Sequence, residues 1–331
     1  MKSVVSYCLH KGMIYTSNDS GEITIHDMDG VCVDRIKLTF IAKHLMSCDA
    51  GIIYRRHSKY RCTVKLMKPD LTSIRLYKTD DDEYIDTIYA IASGHILLYT
   101  TDTLTIVSIA GKRIADIKLE VEGSSNMLVL ANGNICAMHE GFLYIYRPLG
   151  GEPIEEIYVP KARGKYAEMF DGRFAFVTDD NVLIAYPRSG GTLSWISDVH
   201  RHSECLLQLF NGNLVCSLDD YVHIYSLQDK TRTKIELFYP CCQIIQMKDS
   251  RLLIRGKTCI SVYSLDGKLH RRIEVDAAIT DMLYDGQNKV ILLIRTKARD
   301  INEISILTIQ AVIPVHKQRL SVLSDVTISH T

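Results

Sequence analysis

Three stretches of this 331-residue chain concentrate cations: Arg55-Arg56-His57-Ser58-Lys59-Tyr60-Arg61, Arg255-Gly256-Lys257-Thr258 and Arg295-Thr296-Lys297-Ala298-Arg299-Asp300. Guanidinium forks and ammonium groups at this density recognise carboxylate or phosphate, the guanidinium bidentately. Arg55, Arg56, Lys59, Arg61, Arg255, Lys257, Arg295, Lys297 and Arg299 are therefore the candidate partner-binding residues. The partner they fit is a protein with an acidic surface, and a phosphate or phosphoinositide group fits the same chemistry. The sign reverses at Asp179-Asp180, Asp219-Asp220 and Thr79-Asp80-Asp81-Asp82-Glu83, and turns basic again over Lys161-Ala162-Arg163-Gly164-Lys165. Lys plus Arg and Asp plus Glu balance at 39 each, so no global field steers the chain toward nucleic acid. The acidic run would also repel phosphates from a continuous groove. Solvation is the ordinary role of any such charged loop.

His200-Arg201-His202-Ser203-Glu204-Cys205 places His200, His202 and Cys205 at close spacing. A tetrahedral zinc site needs four ligands, or three and a water. No fourth ligand follows at motif spacing, so the reading is an exposed loop leading to an inward Cys205. Neither a metal nor a cofactor is expected. The chain lacks Gly-x-Ser-x-Gly, His-Glu-x-x-His and a phosphate-cradling glycine loop. Ten cysteines include no Cys-x-x-Cys pair, and most fall in strand-like runs, where a free thiol is a small apolar filler. That usage suggests a reducing, intracellular and cytoplasmic setting. No apolar run reaches 18 residues, and Met1–Val5 lacks the apolar core of a signal peptide.

These residues must be held by elements that the turn chemistry locates. Asn-Gly and Asp-Gly favour two-residue hairpins, because a type I′ turn needs positive φ at both central positions. Such signals stand at Lys11-Gly12, Ala50-Gly51, Ser93-Gly94, Asn132-Gly133, Asp171-Gly172, Asn211-Gly212, Asp249-Ser250 and Asp285-Gly286, spaced 36 to 43 residues apart. A second series follows each by half a period, from Asp29-Gly30 and Pro69-Asp70 to Asp229-Lys230 and Asp266-Gly267. Between them lie β-branched and aromatic triplets such as Ile23-Thr24-Ile25, Val222-His223-Ile224 and Ile260-Ser261-Val262. Longer runs such as Ile96-Leu97-Leu98-Tyr99 and Val290-Ile291-Leu292-Leu293-Ile294 read as strands covered on both faces.

Self-similarity at about 40 residues, with four short strands a, b, c and d per unit, predicts an all-β β-propeller. The units run over about residues 1–38, 39–78, 79–119, 120–159, 160–199, 200–237, 238–275 and 276–331, with no linker, so one domain of eight blades is expected. Seven blades is the alternative, with the last unit as an appendage. After its strand c that unit offers two strand-like runs, around Val312–Val315 and Leu320–Ile328, of which one must supply strand d. The b–c loops of a propeller share an end with the d–a loops. That would group the basic stretches of units 7, 8 and 2 into one arc, facing acidic loops in units 5 and 6.

The units resemble degenerate WD40-like propellers. Ile23-Thr24-Ile25-His26-Asp27 sits where that family ends strand c in Trp-Asp, with His26 in the tryptophan position. An acidic residue recurs in the b–c loop at Asp19, Asp102, Asp180 and Asp220. The resemblance implies a protein-interaction scaffold or adaptor, more in keeping with a non-catalytic protein than an enzyme. The alternative is an enzyme or small-ligand binder using the central channel, whose residues would come from several blades and escape motif reading. Trp195 is expected on an outer strand of unit 5.

Overall fold

The computed structural model describes residues 3–57, 62–79, 85–91, 94–100, 103–119, 126–139, 141–148, 151–159, 162–178, 181–185, 194–198, 205–218, 220–296, 301–309 and 318–320. At 57, 126, 162–165, 178, 181–185, 194–198, 218, 301 and 318–320 the backbone alone is described. The described strands form eight sheets in chain order: six of four strands, one of five and one of three. In each, consecutive strands pair antiparallel in the order a-b-c-d, or a-b-c in the three-stranded sheet. Blade 1 is Val4–His10, Met13–Asn18, Glu22–His26 and Cys32–Lys37; blade 2 is Ala42–Cys48, Gly51–His57, Cys62–Met67 and Ser73–Lys78. Trp195 lies in Ser194–Asp198, the fourth strand of blade 5.

The continuous apolar runs are explained by what lies on each side. In strand b of blade 3, Ile96 and Leu98 pack with blade 2, while Leu97 and Tyr99 pack with blade 4. Side chains alternate across a strand, so one run serves two interfaces. Eight apolar clusters follow in turn, each joining neighbouring blades; the last sets Ile291 and Ile304 of blade 8 against Tyr7 and Ile14 of blade 1. The ring closes there by packing, by Lys289 Nζ donating to Met28 O at 2.7 Å and pairing with Asp29, and by Asn302 N–H donating to Ser3 Oγ at 3.1 Å. The fold is thus the expected β-propeller.

Two expectations need correction, and the end of the chain is described only in part. Among the described residues, only Lys11-Gly12 has positive φ at both turn positions, 49° and 74°. At Asn132-Gly133, Asp171-Gly172 and Asn211-Gly212 only the glycine is left-handed, and its N–H donates to the carbonyl three residues back. These are three-residue hairpins, in which the Asn or Asp carboxamide or carboxylate oxygen accepts the N–H two residues on, at 2.9 to 3.1 Å. The last unit does not gain a fourth strand among the described residues. Gln318–Leu320 instead adds parallel to the outer strand of blade 7, Ile273 facing Gln318 and Val275 facing Leu320; residues 310–317 and 321–331 lie outside the described residues. The basic stretch beside unit 5 is not a loop throughout, since Ala162–Glu168 is strand a of blade 5.

Candidate functional site

The first residues of each basic stretch stand in strand b rather than in the b–c loop. Strand b of blade 2 continues through Gly51–His57, so Arg55 and Arg56 point to opposite faces of one sheet. Arg55 is only 2 % exposed, and its Nη1 donates to Asp86 O of blade 3 at 3.2 Å. Arg255, at the same end of strand b in blade 7, turns inward likewise. Its Nε donates to Gln243 Oε1 at 3.0 Å and its Nη1 to Ile279 O of blade 8 at 2.7 Å. Ser17 of blade 1 makes the same reach on a smaller scale, donating to Ala42 O of blade 2 at 2.7 Å. These side chains tie each blade to the first strand of the next, and Arg55 and Arg255 are not available as docking residues. Arg295 ends strand b of blade 8 in an exposed position, and Lys257 is exposed in the b–c loop of blade 7. Lys59, Arg61, Lys297 and Arg299 lie outside the described residues, as do Asp179, Asp180, Asp219 and His200 to Glu204.

Arg56 is the cation that reaches a site. It pairs across to Thr63 of strand c, which faces Lys78 of strand d, and Lys65 faces Arg75 one step along. These five residues line an open cleft of about 500 Å³ on the flank of blade 2 that faces blade 1. Alternation explains the assembly: Val64 and Leu66 turn to blade 3, so Thr63 and Lys65 must turn to the other side. The inner part of that face, Ile52, Tyr54 and Met67, is buried against blade 1. The floor is aromatic. Phe40 stacks on Tyr54 at 6.2 Å, with the Arg56 guanidinium 4.7 Å and the Lys65 ammonium 5.4 Å from its ring centre. Such cation–π contacts contribute about 0.5–1 kcal/mol each. Tyr54 donates to Ser73 Oγ at 3.0 Å, and burial holds its hydroxyl above the usual range, so it remains neutral. Phe40 is fixed by Gly21: Leu38 N–H donates to Gly21 O at 2.7 Å, and a Cβ on Gly21 would stand 2.8 Å from Phe40 O.

No lining residue is acidic, and among the described residues none of Arg56, Lys65, Arg75 or Lys78 has an ion-pair partner. On several other flanks cations stand beside acidic residues. The equivalent outer positions carry Glu22 with Lys37 in blade 1, Asp116 with Lys118 in blade 3, Glu156 in blade 4, Lys234 with Glu236 in blade 6 and Arg272 with Glu274 in blade 7. Arg113–Asp116 at 2.8 Å, Lys234–Glu236 at 3.3 Å and Arg272–Glu274 at 3.1 Å are formed pairs. Four like charges over an aromatic floor therefore leave an unmet demand for anions.

The position occupied by Lys65 also explains His26 and its neighbours. Thr24, Thr105, His223 and Ser261 occupy it in other blades. In blade 1, His26 Nε2 meets Thr24 Oγ1 at 3.0 Å, which meets Thr16 Oγ1 at 2.6 Å. Burial, then the Arg232 and Lys234 charges, pushes the His223 imidazole down to about 4, so it is neutral beside the Tyr225 hydroxyl.

No family model matches the chain, and no curated protein matches it. Solved structures do. The computationally designed Ika8 protein aligns with TM-score 0.69 at 12 % identity, over 93 % of this chain and 96 % of that one. Saccharomyces cerevisiae Sqt1 gives 0.69 at 9 %, over 93 % and 96 %, and BamB from Moraxella catarrhalis gives 0.64 at 10 %, over 90 % and 95 %. The fold is a β-propeller. Virginiamycin B lyase from Staphylococcus aureus, an enzyme, is similar to the propeller as well, at TM-score 0.54 and 10 % identity over 93 % and 96 %, so the fold does not choose between binding and catalysis. No helix among the described residues is long and apolar enough to cross a membrane.

Proposed function

We propose that the chain works as one non-catalytic β-propeller domain, an intracellular, cytoplasmic adaptor or assembly subunit that presents one end and one flank to partner proteins. The observation that supports this is the cation cluster of Arg56, Lys65, Arg75 and Lys78, which has no acidic lining, set against the ion pairs formed on the outer strands of blades 3, 6 and 7. Lys257 and Arg295 extend the basic arc at the b–c end, and Lys59, Arg61, Lys297 and Arg299 belong to it by sequence. A ring of mutually packed sheets holds these groups in place before the partner arrives, which lowers the ordering cost of association. The partner is a protein with acidic groups that pair with the guanidinium and ammonium ions.

The test is affinity capture of the tagged protein beside a Lys65→Glu/Arg75→Glu variant, with partners identified by mass spectrometry at two salt concentrations. The expected result is a stoichiometric partner lost from the variant and weakened by salt. Capture that is equal for both proteins would remove the cleft from the reading.

A further inference from the structure

We propose that the blade-2 cleft reads two phosphate monoesters carried on alternate residues, i and i+2, of an extended segment of the partner protein. The proposal rests on the scaffold reading above and names what that scaffold recognises.

The spacing comes from the register. Arg56, Thr63 and Lys78 form one cross-strand row, and Lys65 with Arg75 forms the next. Thr63 and Lys65 are one i to i+2 step apart on the same face, a separation of about 7 Å along the strand. An extended segment presents its own residues i and i+2 on one face at the same pitch. Each row holds two cations, which balances one phosphate dianion of about −1.5 to −2 charge. Thr63 adds a hydroxyl to the first row. Phe40 lies under one cation of each row, Arg56 at 4.7 Å and Lys65 at 5.4 Å from its ring centre. A single carboxylate would neutralise only a quarter of the four positive charges.

The extended form of the ligand has a precedent within the chain. Strand Ser73–Lys78 is the outer strand of blade 2, and no further described strand pairs with it. The corresponding strand of blade 7 accepts Gln318–Leu320 in parallel pairing. An outer edge of this ring therefore takes an added strand, and at blade 2 such a segment would run directly past Arg75 and Lys78.

The experiment uses the full chain and fluorescent synthetic peptides with two phosphoserines at i,i+2, the i,i+1 isomer, and the unphosphorylated sequence, read by anisotropy. Inorganic phosphate serves as competitor, and vesicles containing a phosphatidylinositol bisphosphate form a separate arm. The i,i+2 peptide is expected to bind at least tenfold tighter than either other peptide. Lys65→Ala and Arg75→Ala should each lose about tenfold or more, while Arg35→Ala, on the outer strand of blade 1 and outside the cleft, should bind as the wild type does. Circular dichroism melts of the same variants guard against loss of fold, since Arg75 is exposed and carries no core contact. Equal binding of the two phosphopeptide isomers would overturn the proposal. So would vesicle binding without peptide binding, or undiminished binding by the Lys65 and Arg75 variants. If those peptide results are negative while the charge-reversed variant still loses its protein partner, the scaffold reading stands and only the phosphate pair is wrong. Peptide binding without any partner capture would mean the reverse: the phosphate pair stands and the scaffold reading falls.

Discussion

Arg55 and Arg56 are sequence neighbours with the same side chain, and the structure gives them opposite duties. That difference can be measured. Arg55 is 2 % exposed and donates across the blade interface to Asp86 O, whereas Arg56 lies over Phe40 at the cleft. A hydrogen bond from a charged donor contributes about 1.5–3 kcal/mol net, and truncation adds the lost packing of the buried stem. Arg55→Ala should therefore cost about 3 kcal/mol. For a chain of 331 residues, the unfolding entropy of about 2.1 cal/mol/K per residue sums to about 0.7 kcal/mol/K, so Tm should fall by about 4 °C. Arg56→Ala forfeits one half-exposed cation–π contact, about 0.5–1 kcal/mol, or about 1 °C. Partner binding should move the other way: largely kept by Arg55→Ala and reduced severalfold by Arg56→Ala. Calorimetry of both variants, with the capture assay run well below their Tm, decides the matter. Unchanged stability in Arg55→Ala would refute the assignment of an inter-blade tie, and a several-degree loss in Arg56→Ala would refute its placement at the surface. Arg255→Ala should resemble Arg55→Ala, and the two losses should add, because blades 2 and 7 share no interface.

Three further outcomes follow from single contacts. Gly21 has φ +78° and no room for a Cβ beside Phe40 O, so Gly21→Ala should cost about 1–3 kcal/mol in thermal melts and loosen the cleft floor, weakening partner binding as well. The His223 pKa of about 4 lies below that of the unfolded chain, near 6.5. The unfolded state therefore takes up a proton that the folded state refuses, and stability should fall as pH drops from about 6.5 to 4. The loss is about 1–2 kcal/mol once solvent screening halves the full shift, and His223→Thr should flatten that slope in urea titrations. His10 and His26, both lowered first by burial, act in the same direction. Gln208 accepts the Phe170 N–H at 2.6 Å and donates to Gly212 O at 2.9 Å, so Gln208→Leu should cost about 1–3 kcal/mol and speed hydrogen exchange at Phe170.

The architecture was legible because its signals are local. Glycines and Asx residues recur wherever a hairpin must reverse, and the positions of the turns survive even though most are three-residue hairpins rather than type I′. The turn type was not legible, since the side chain of Asn132 or Asn211 serves equally well to cap the backbone two residues on. At the end of the chain only Gln318–Leu320 is described, and nothing in its composition says that the edge it joins belongs to blade 7. The arginines misled because a charge beside an apolar run reads as the start of a loop. In blades 2 and 7 the strand continues, and the guanidinium finds a carbonyl in the next blade.

The cleft itself was hidden by the same rule that builds it. Lys65, Arg75 and Lys78 stand apart in the sequence, Lys65 and Arg75 each between apolar neighbours, and none forms a basic cluster with its neighbours. Only the register brings Thr63 opposite both Arg56 and Lys78, and Lys65 opposite Arg75. The informative comparison is between equivalent positions of successive units. Where blade 3 sets Asp116 to meet Thr105 and Arg113, blade 2 sets Arg75 to meet Lys65. Like charges placed directly across a pair of strands destabilise the sheet. Blade 2 carries that repulsion in the absence of a ligand, while a carboxylate at the same position, as in blade 3, would relieve it. A repeat fold offers this internal control at every position, and the unit that departs from its neighbours at a cost in stability is where binding should be sought. Installing the blade-3 solution as Arg75→Asp should accordingly raise Tm slightly while abolishing phosphopeptide binding, a pair of opposed changes that loss of structure could not produce.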